Sequence, residues 1–135
     1  MTPREIAAAA QLACVLEASA SKPGNVSPGR RFADLAYEDF LAAAAAIGEP
    51  LADAGRQALG LTIRRAVEAT HGRAGTNVNL GIVLLLAPLV RAVIDLVGGA
   101  RGAPDGGGPE RPPLRPVIRR LLEQTTVEGI IPTAR

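Results

Sequence analysis

Aromatic residues are almost absent from this chain of 135 residues. It contains no tryptophan, and its aromatic side chains are limited to Phe32, Tyr37 and Phe40. The interior must therefore be built mainly from alanine, leucine and valine, whose small size lets helix backbones approach closely. The composition favours closely packed helices over a core filled by large rings.

Cysteine and histidine each occur once, as Cys14 and His71. A lone cysteine excludes an intramolecular disulfide and a thiolate metal cluster, and its apolar surroundings predict a small core residue. His71 has no second histidine or cysteine at metal-ligand spacing, which excludes a zinc site of the usual kind. Beside Gly72 at a predicted helix end, His71 fits either a favourable cation at a helix C-terminus or a general acid.

Positive charge exceeds negative charge only slightly. The net charge is +2 and the isoelectric point is about 9.3, and every basic residue except Lys22 is an arginine. This surplus fits an anionic small ligand. It is too weak and too scattered to indicate a nucleic-acid partner.

No long apolar run is free of interruption. The segment 80–97 is apolar, but it contains Pro88, Arg91 and Asp95, and its uninterrupted part is shorter than the roughly 20 residues of a membrane span. The N-terminus carries Arg4 and Glu5 before an amphipathic pattern, unlike a signal peptide. We therefore expect a cytoplasmic protein with no membrane partner.

Helical periodicity accounts for most of the chain, and no strand pattern is visible. Thr2, Pro3 and Glu5 predict a capped helix start, after which a helical period is followed by Ile6, Ala9, Ala10, Ala13, Leu16 and Ala20. Further helices are predicted at 36–47, at 50–70, at 77–97 with Asn77 as N-cap and a kink at Pro88, and at 114–124. The predicted fold is all-α, a compact helical bundle of about five helices.

The segment 98–113 differs in composition from the rest of the chain, because glycine and proline dominate it. Such a segment cannot bury enough apolar surface to offset its ordering entropy. We therefore predict a helical core at 1–97, a linker at 98–113, and a short helix with a C-terminal tail at 114–135. A capped helix start at Thr125 is cut short by Gly129 and Pro132, which favours truncation of a longer chain.

Two polar segments interrupt the apolar background: 17–26, EASASKPGNV, and 75–81, GTNVNLG. Together they resemble the triphosphoribosyl-dephospho-CoA synthase family, whose members carry Glu-X-Ser-Ala-X-Lys/Arg-Pro-Gly-X-Val and, on a downstream helix, Asn-Thr-His-Lys-Gly. The second match is partial, because Asn79 and Leu80 stand where that pattern has His and Lys. The resemblance runs from about residue 5 to residue 97, and it implies the N-terminal half of a larger all-α enzyme.

The resemblance implies a transferase that uses ATP and 3'-dephospho-CoA. The 2'-hydroxyl of the dephospho-CoA ribose attacks C1 of the ATP ribose, adenine leaves, and the triphosphate is retained. This chemistry needs a base for the hydroxyl, cations for the triphosphate and usually Mg²⁺ held by carboxylates. An oxocarbenium-like transition state also favours nearby negative charge.

The first segment supplies the candidate base and the candidate phosphate site. Glu17 precedes the loop by about one to two helical turns, and it is either the base or a carboxylate on a solvated helix face. Lys22 can bind phosphate as a point charge, and Gly24 lets the backbone approach a ligand. The remaining substrate-binding candidates are Asn25, Arg30 and Arg31. The alternative is a basic, solvated loop without a ligand.

The second segment places Thr76, Asn77 and Asn79 at the predicted start of the fourth helix. Free backbone N–H groups and the positive end of the helix favour an anion there, although Asn77 can serve as a cap alone. Asp39 is the candidate Mg²⁺ ligand, or a first-turn carboxylate that suits the helix dipole. His71 is the candidate general acid toward the leaving adenine.

Three alternatives remain open at the level of sequence. A shortened chain can keep a nucleotide-binding or helix-packing surface without catalysis. The change at Asn79 and Leu80 also allows a divergent family enzyme with another phosphorylated substrate. Finally, helix faces that would meet a missing half can pair between copies and form a homo-oligomer.

Overall fold

The computed structural model describes residues 1–100 and 113–123, and in this part the chain is almost entirely helical. Its only strand-like feature there is an isolated bridge between Ser27 and Arg30. The all-α fold is thus confirmed. The elements are α1 Pro3–Ser19, α2 Tyr37–Ala46, α3 Gly48–Ala52, a 3-10 turn Ala54–Arg56, α4 Leu59–Ala74, α5 Leu80–Ala100 and α6 Leu114–Glu123.

The helix predicted at 50–70 is divided into α3, the 3-10 turn and α4. Gln57 and Ala58 both adopt extended backbone angles, which end the first part and allow α4 to start in a new direction. A Cβ atom on Gly55 would lie 2.7 Å from Ile94 Cγ2, so glycine allows the turn to approach α5. The division reflects packing between distant segments, which local periodicity does not report.

α1 begins as the sequence predicts but buries a different face. The Glu5 N–H donates to Thr2 Oγ1 at 3.3 Å, and the Thr2 N–H donates to Glu5 Oε2 at 2.6 Å, which completes the capping box. The buried face consists of Ile6, Ala7, Ala10, Cys14 and Ala18. Four of the periodic positions therefore lie on the exposed side of α1: Ala9, Ala13, Leu16 and Ala20.

The core contains no aromatic side chain in the described part of the protein, as the composition predicts. Packing of α1 against α2 and α3, and of α4 against α2 and α5, encloses it. Short side chains from α1 to α5 and the 3-10 turn fill this space, among them Ala10, Cys14, Ala44, Ile47, Leu51, Ala54, Ile63, Ala66, Val83, Ala87 and Val90. Close backbone approach thus replaces filling by rings.

α5 runs unbroken from Leu80 to Ala100, through Pro88. The Val83 N–H donates to the Asn79 carbonyl at 2.9 Å, so Asn79 closes the first helical turn and is the N-cap. The prediction of Asn77 as N-cap was wrong. The predicted linker at 98–113 starts inside α5, whereas its residues 101–112 and the tail at 124–135 lie outside the described residues.

The continuity of α5 also overturns the length argument against a membrane span. Leu80–Gly98 is the one helix in the described ranges that is long and apolar enough to cross a membrane, with a mean hydropathy of 2.3 and 28% of its window buried. A core helix of a soluble protein passes the same test, and α5 packs against α1, α4 and α6. Length and composition alone therefore do not assign α5 to a membrane.

The charged side chains within α5, Arg91 and Asp95, form hydrogen bonds with other groups of the protein. Arg91 Nε donates to both carboxylate oxygens of Asp95, at 3.1 and 2.9 Å. Arg91 Nη1 donates to the carbonyl oxygens of Ala54 and Gln57, at 2.9 and 2.7 Å. Arg91 therefore fixes the 3-10 turn against α5.

Candidate functional site

Glu17 and Lys22 form an ion pair at the end of α1. Lys22 Nζ donates to Glu17 Oε1, and each side chain keeps 41% of its surface exposed. The structure thus joins the candidate base and the candidate phosphate-binding cation directly. A substrate can reach both side chains, because neither is enclosed.

Two tight turns shape the basic loop that follows. The Asn25 N–H donates to the Lys22 carbonyl at 3.3 Å, and Gly24 adopts a φ of 73°, a conformation that glycine accepts at low cost. Ser27 and Arg30 then exchange both backbone hydrogen bonds, at 3.1 and 2.8 Å. The loop therefore folds back on itself and holds Arg30 near the chain that leaves α1.

Tyr37 connects this loop region to α2, a link that the sequence reasoning missed. Its hydroxyl lies 2.7 Å from Ser19 Oγ, which in turn donates to the Val15 carbonyl at 2.6 Å. The start of α2 is thereby held against the last turn of α1. Two signals were available: Ser19 lies within the family-like segment, and Tyr37 is one of only three aromatic residues.

A small cavity of about 190 Å³ lies between the basic loop and the start of α2. Arg30, Arg31, Tyr37 and Glu38 contribute to its lining, together with Ser27. Two of the predicted anion-binding residues thus share one concave surface. Its volume accommodates part of a phosphate chain rather than a whole nucleotide, since sites for drug-sized ligands measure about 300–1000 Å³.

Asp39 lies in the first turn of α2, where its carboxylate has a structural contact. Its Oδ2 accepts the Ala36 N–H at 2.8 Å, which supports the helix-cap interpretation. No cluster of three or more metal-ligating side chains is present among the described residues. Magnesium is commonly held by one or two carboxylates together with substrate phosphates and water. Asp39 can therefore be a magnesium ligand only if a bound substrate supplies phosphate ligands as well.

The second polar segment is shaped by a buried asparagine. Asn79 is 4% exposed, and its Oδ1 accepts the hydroxyl proton of the fully buried Thr70 at 3.1 Å. Its Nδ2 is buried and has no hydrogen-bond partner among the residues that the structure describes. A buried amide nitrogen without a partner costs free energy. The Asn79 amide at the start of α5 is therefore a candidate functional group.

The other candidates of this segment are more accessible. Asn77 is exposed, and Thr76 is partly buried. His71 is exposed in the last turn of α4, where its carbonyl accepts the N–H of Gly75, the left-handed C-cap with a φ of 68°. No hydrogen bond or ion pair in the described residues joins this group directly to Glu17, Lys22 or Asp39.

Cys14 lies one turn before Glu17 on the buried face of α1. Burial, and secondarily the Glu17 carboxylate, raise the pKa of the Cys14 thiol to about 11. In the unfolded chain the Cys14 thiol ionises near pH 9, before it does so in the folded chain. Ionisation therefore favours unfolding between the two pKa values.

We therefore expect the free energy of unfolding to be undiminished by Cys14 below pH 9. It should fall by about 2–3 kcal/mol as the pH rises to 11. Urea unfolding across this range measures the effect. Cys14→Ala should remove this part of the pH dependence, whereas identical slopes in both proteins would contradict the burial argument.

The chain matches the model of a transferase family over nearly its whole length. That family is CitG, described as ATP:dephospho-CoA triphosphoribosyl transferase, and the match covers residues 3–133. The protein belongs to this family. The match extends past residue 97, so the predicted end of the resemblance was too early. No curated protein and no solved structure matches the chain significantly.

Proposed function

We propose that this protein transfers the triphosphoribosyl group of ATP to the ribose 2'-hydroxyl of 3'-dephospho-CoA, with release of adenine. The observation that carries the proposal is the Glu17–Lys22 ion pair at the mouth of the basic loop. It unites the base and the cation that the reaction needs, within a segment that the family match includes. Family membership supports the reaction class, and the pair supports its location.

In this proposal the triphosphate displaces the Glu17 carboxylate from Lys22. Lys22 then neutralises phosphate oxygens. Arg30 and Arg31, which both line the small cavity beside the loop, neutralise others. The released carboxylate accepts the proton of the attacking 2'-hydroxyl and stabilises positive charge that develops on the ATP ribose. The new bond forms between that hydroxyl oxygen and C1, and the C1–nitrogen bond breaks with its electron pair on adenine.

Adenine must gain a proton as it leaves, and His71 is the candidate donor. It is exposed in the last turn of α4, and the imidazole side chain is a common general acid. Gly24 and Asn25 offer backbone and amide groups at the turn beside Lys22. Magnesium supplied with ATP would neutralise further phosphate charge, and Asp39 is the residue that would hold it.

The start of α5 is proposed as the second contact region for the substrate. Exposed Asn77 and partly buried Thr76 precede the helix, whose free N–H groups favour a phosphate or a ribose hydroxyl. The Asn79 amide nitrogen, buried and without a partner in the described residues, is one more candidate donor if substrate binding uncovers it. Leu80 is 41% exposed and supplies no charge, which leaves the anion to N–H groups and amides.

Isothermal titration of the purified chain with Mg-ATP, followed by chromatography for free adenine, tests the proposal. We expect binding, and adenine release that depends on 3'-dephospho-CoA. Binding without adenine release under any condition would contradict the transferase. An assay without added Mg²⁺ and with chelator tests the metal in the same series.

A second candidate is favoured by the departure at Asn79 and Leu80. The asparagine is buried where the family pattern has histidine, and the leucine carries no charge where that pattern has lysine. We infer from this that another phosphorylated acceptor, or nucleotide binding without turnover, is the alternative to the reaction above. Adenine release that is independent of dephospho-CoA favours the former, and binding alone favours the latter.

Removal of the Lys22 ammonium should weaken ATP binding. We expect Lys22→Ala to cost about 1–3 kcal/mol, or roughly 5–150-fold in affinity, because a charge-assisted phosphate contact is lost. Titration calorimetry with Mg-ATP measures the change. Arg119→Ala, which also removes an exposed cation paired with a glutamate, is the control. Equal affinities for both variants would remove Lys22 from the site.

The expected setting of the protein also remains a proposal. We expect it to act in the cytoplasm on small nucleotides, without a nucleic-acid partner. A homo-oligomer would use apolar side chains exposed on α1 and α5, which include Leu12, Leu16, Leu84 and Leu85. Sedimentation velocity over a range of protein concentrations distinguishes this assembly from a monomer.

A further inference from the structure

A larger cleft lies apart from the candidate site, between the end of α2, α3 and α4. Its volume is about 520 Å³, within the range of small-molecule sites, and it shares no residue with the predicted catalytic or phosphate-binding set. Small residues line it, among them Ala45, Ala69 and Gly72. A Cβ atom on Gly72 would meet no atom of the described residues within 4 Å, so the space beside it is open to a ligand.

Four charged side chains line this cleft, two of each sign. Glu49 and Asp53 come from α3 and its C-cap, four residues apart, and Arg65 and Arg73 come from α4, eight residues apart. Spacings of four and eight place each pair along one side of a helix, at about one and two turns. The cleft is therefore acidic on its α3 wall and basic on its α4 wall.

These opposite charges do not pair with each other. No ion pair within 4.0 Å joins the two walls, although such pairs form elsewhere in the described residues. Within the same residues the side chains of Glu49, Asp53 and Arg73 make no hydrogen bond, and Arg65 donates only to Gln57 Oε1 at 2.9 Å. The charges are thus available to a ligand that lies between the two walls.

We propose that this cleft binds a small zwitterion that carries an ammonium group and a phosphate. The ammonium would lie against Glu49 and Asp53, and the phosphate against Arg65 and Arg73, whose planar guanidinium groups suit phosphate oxygens. A nucleoside triphosphate is disfavoured here, because its charge would face two carboxylates. The inference is independent of the transferase activity, since no residue is shared with that site.

Titration of the ¹⁵N-labelled full chain with O-phosphoethanolamine, followed by NMR, tests the proposal. We expect saturable shifts confined to residues 45–53 and 65–73. Asp53→Asn and Arg73→Gln should each weaken the affinity roughly tenfold, because each removes one charge-assisted contact. Glu123→Gln and Arg120→Gln on α6 are matched controls and should leave the affinity unchanged.

A second variant keeps every charge and fills the space instead. Gly72→Leu places a side chain in the open part of the cleft without loss of helix propensity, so it should abolish the saturable shifts while the chain stays folded by circular dichroism. Ethanolamine and inorganic phosphate should each bind more weakly than the joined molecule. Absence of saturation, shifts unaffected by these variants, or equal binding of phosphate alone would overturn the proposal.

Discussion

Glu17→Gln is expected to slow adenine release by about 10²–10⁴-fold, the usual contribution of a positioned general base. The amide keeps the size of the side chain and can still contact Lys22, but it cannot accept the hydroxyl proton. It also carries no charge to stabilise an oxocarbenium-like ribose. Single-turnover adenine release, measured with saturating Mg-ATP and 3'-dephospho-CoA, reports this step.

ATP affinity provides the readout that separates catalysis from structure. In the proposed mechanism the Glu17 carboxylate, which pairs with Lys22, competes with phosphate for that ammonium, so its neutralisation should leave ATP binding unchanged or slightly tighter. Glu68→Gln is the matched control, since it neutralises an exposed glutamate that pairs with an arginine on α4. A rate equal to that of the control would assign Glu17 to the solvated helix face.

Local signals in the sequence predict the helices and one half of the candidate site. The Thr2–Glu5 capping box fixes the start of α1, and the segment around Lys22 identifies the basic loop. These features act over a few residues, so periodicity and cap chemistry suffice to predict them. The start of α6 at Leu114 follows in the same way.

Which side of α1 is buried could not be predicted, because alanine and leucine occupy both sides. Leu16 follows the helical period but is 61% exposed, whereas the neighbouring Ala18 is 2% exposed. A helix that is apolar all round has no preferred face until its partners are placed. Contacts of α1 with α2, α3 and α5 make that choice in the folded chain.

The N-cap of α5 depended on a tertiary contact in the same manner. Asn77 and Asn79 are both chemically suited to cap a helix. Thr70, nine residues earlier on α4, supplies the buried hydroxyl that holds Asn79. The Tyr37–Ser19 link, across 18 residues, was likewise invisible to local patterns. Polar residues that join distant elements are thus where the sequence reasoning ended.

Arg91 is the clearest case of a side chain whose role only the fold shows. In the sequence it interrupts an apolar run, but in the structure it bonds two carbonyl oxygens that lie 34 and 37 residues away. The side chain is 24% exposed. Without it, the Ala54 and Gln57 carbonyls lose a charged donor, and Asp95 loses its partner.

We therefore expect Arg91→Met to lower the free energy of unfolding by about 3 kcal/mol, because hydrogen bonds from a charged donor contribute about 1.5–3 kcal/mol each and the losses overlap. Methionine keeps most of the apolar stem, so the packing loss is small. Urea unfolding followed by circular dichroism measures the change. An unchanged slope of the unfolding free energy against urea concentration would show that the unfolded states of the two proteins are equally exposed to solvent.

Arg119→Met separates the two kinds of contact that Arg91 makes. Arg119 pairs with Glu123 four residues on, as Arg91 pairs with Asp95, but it is exposed and donates to no carbonyl of another element in the described residues. Its loss should cost at most about 0.5 kcal/mol, typical of an exposed helical pair. If Arg91→Met cost no more than this, the bonds to the 3-10 turn would contribute nothing, and apolar packing of that turn, through Ala54 in the core and Gly55 against Ile94, would hold it.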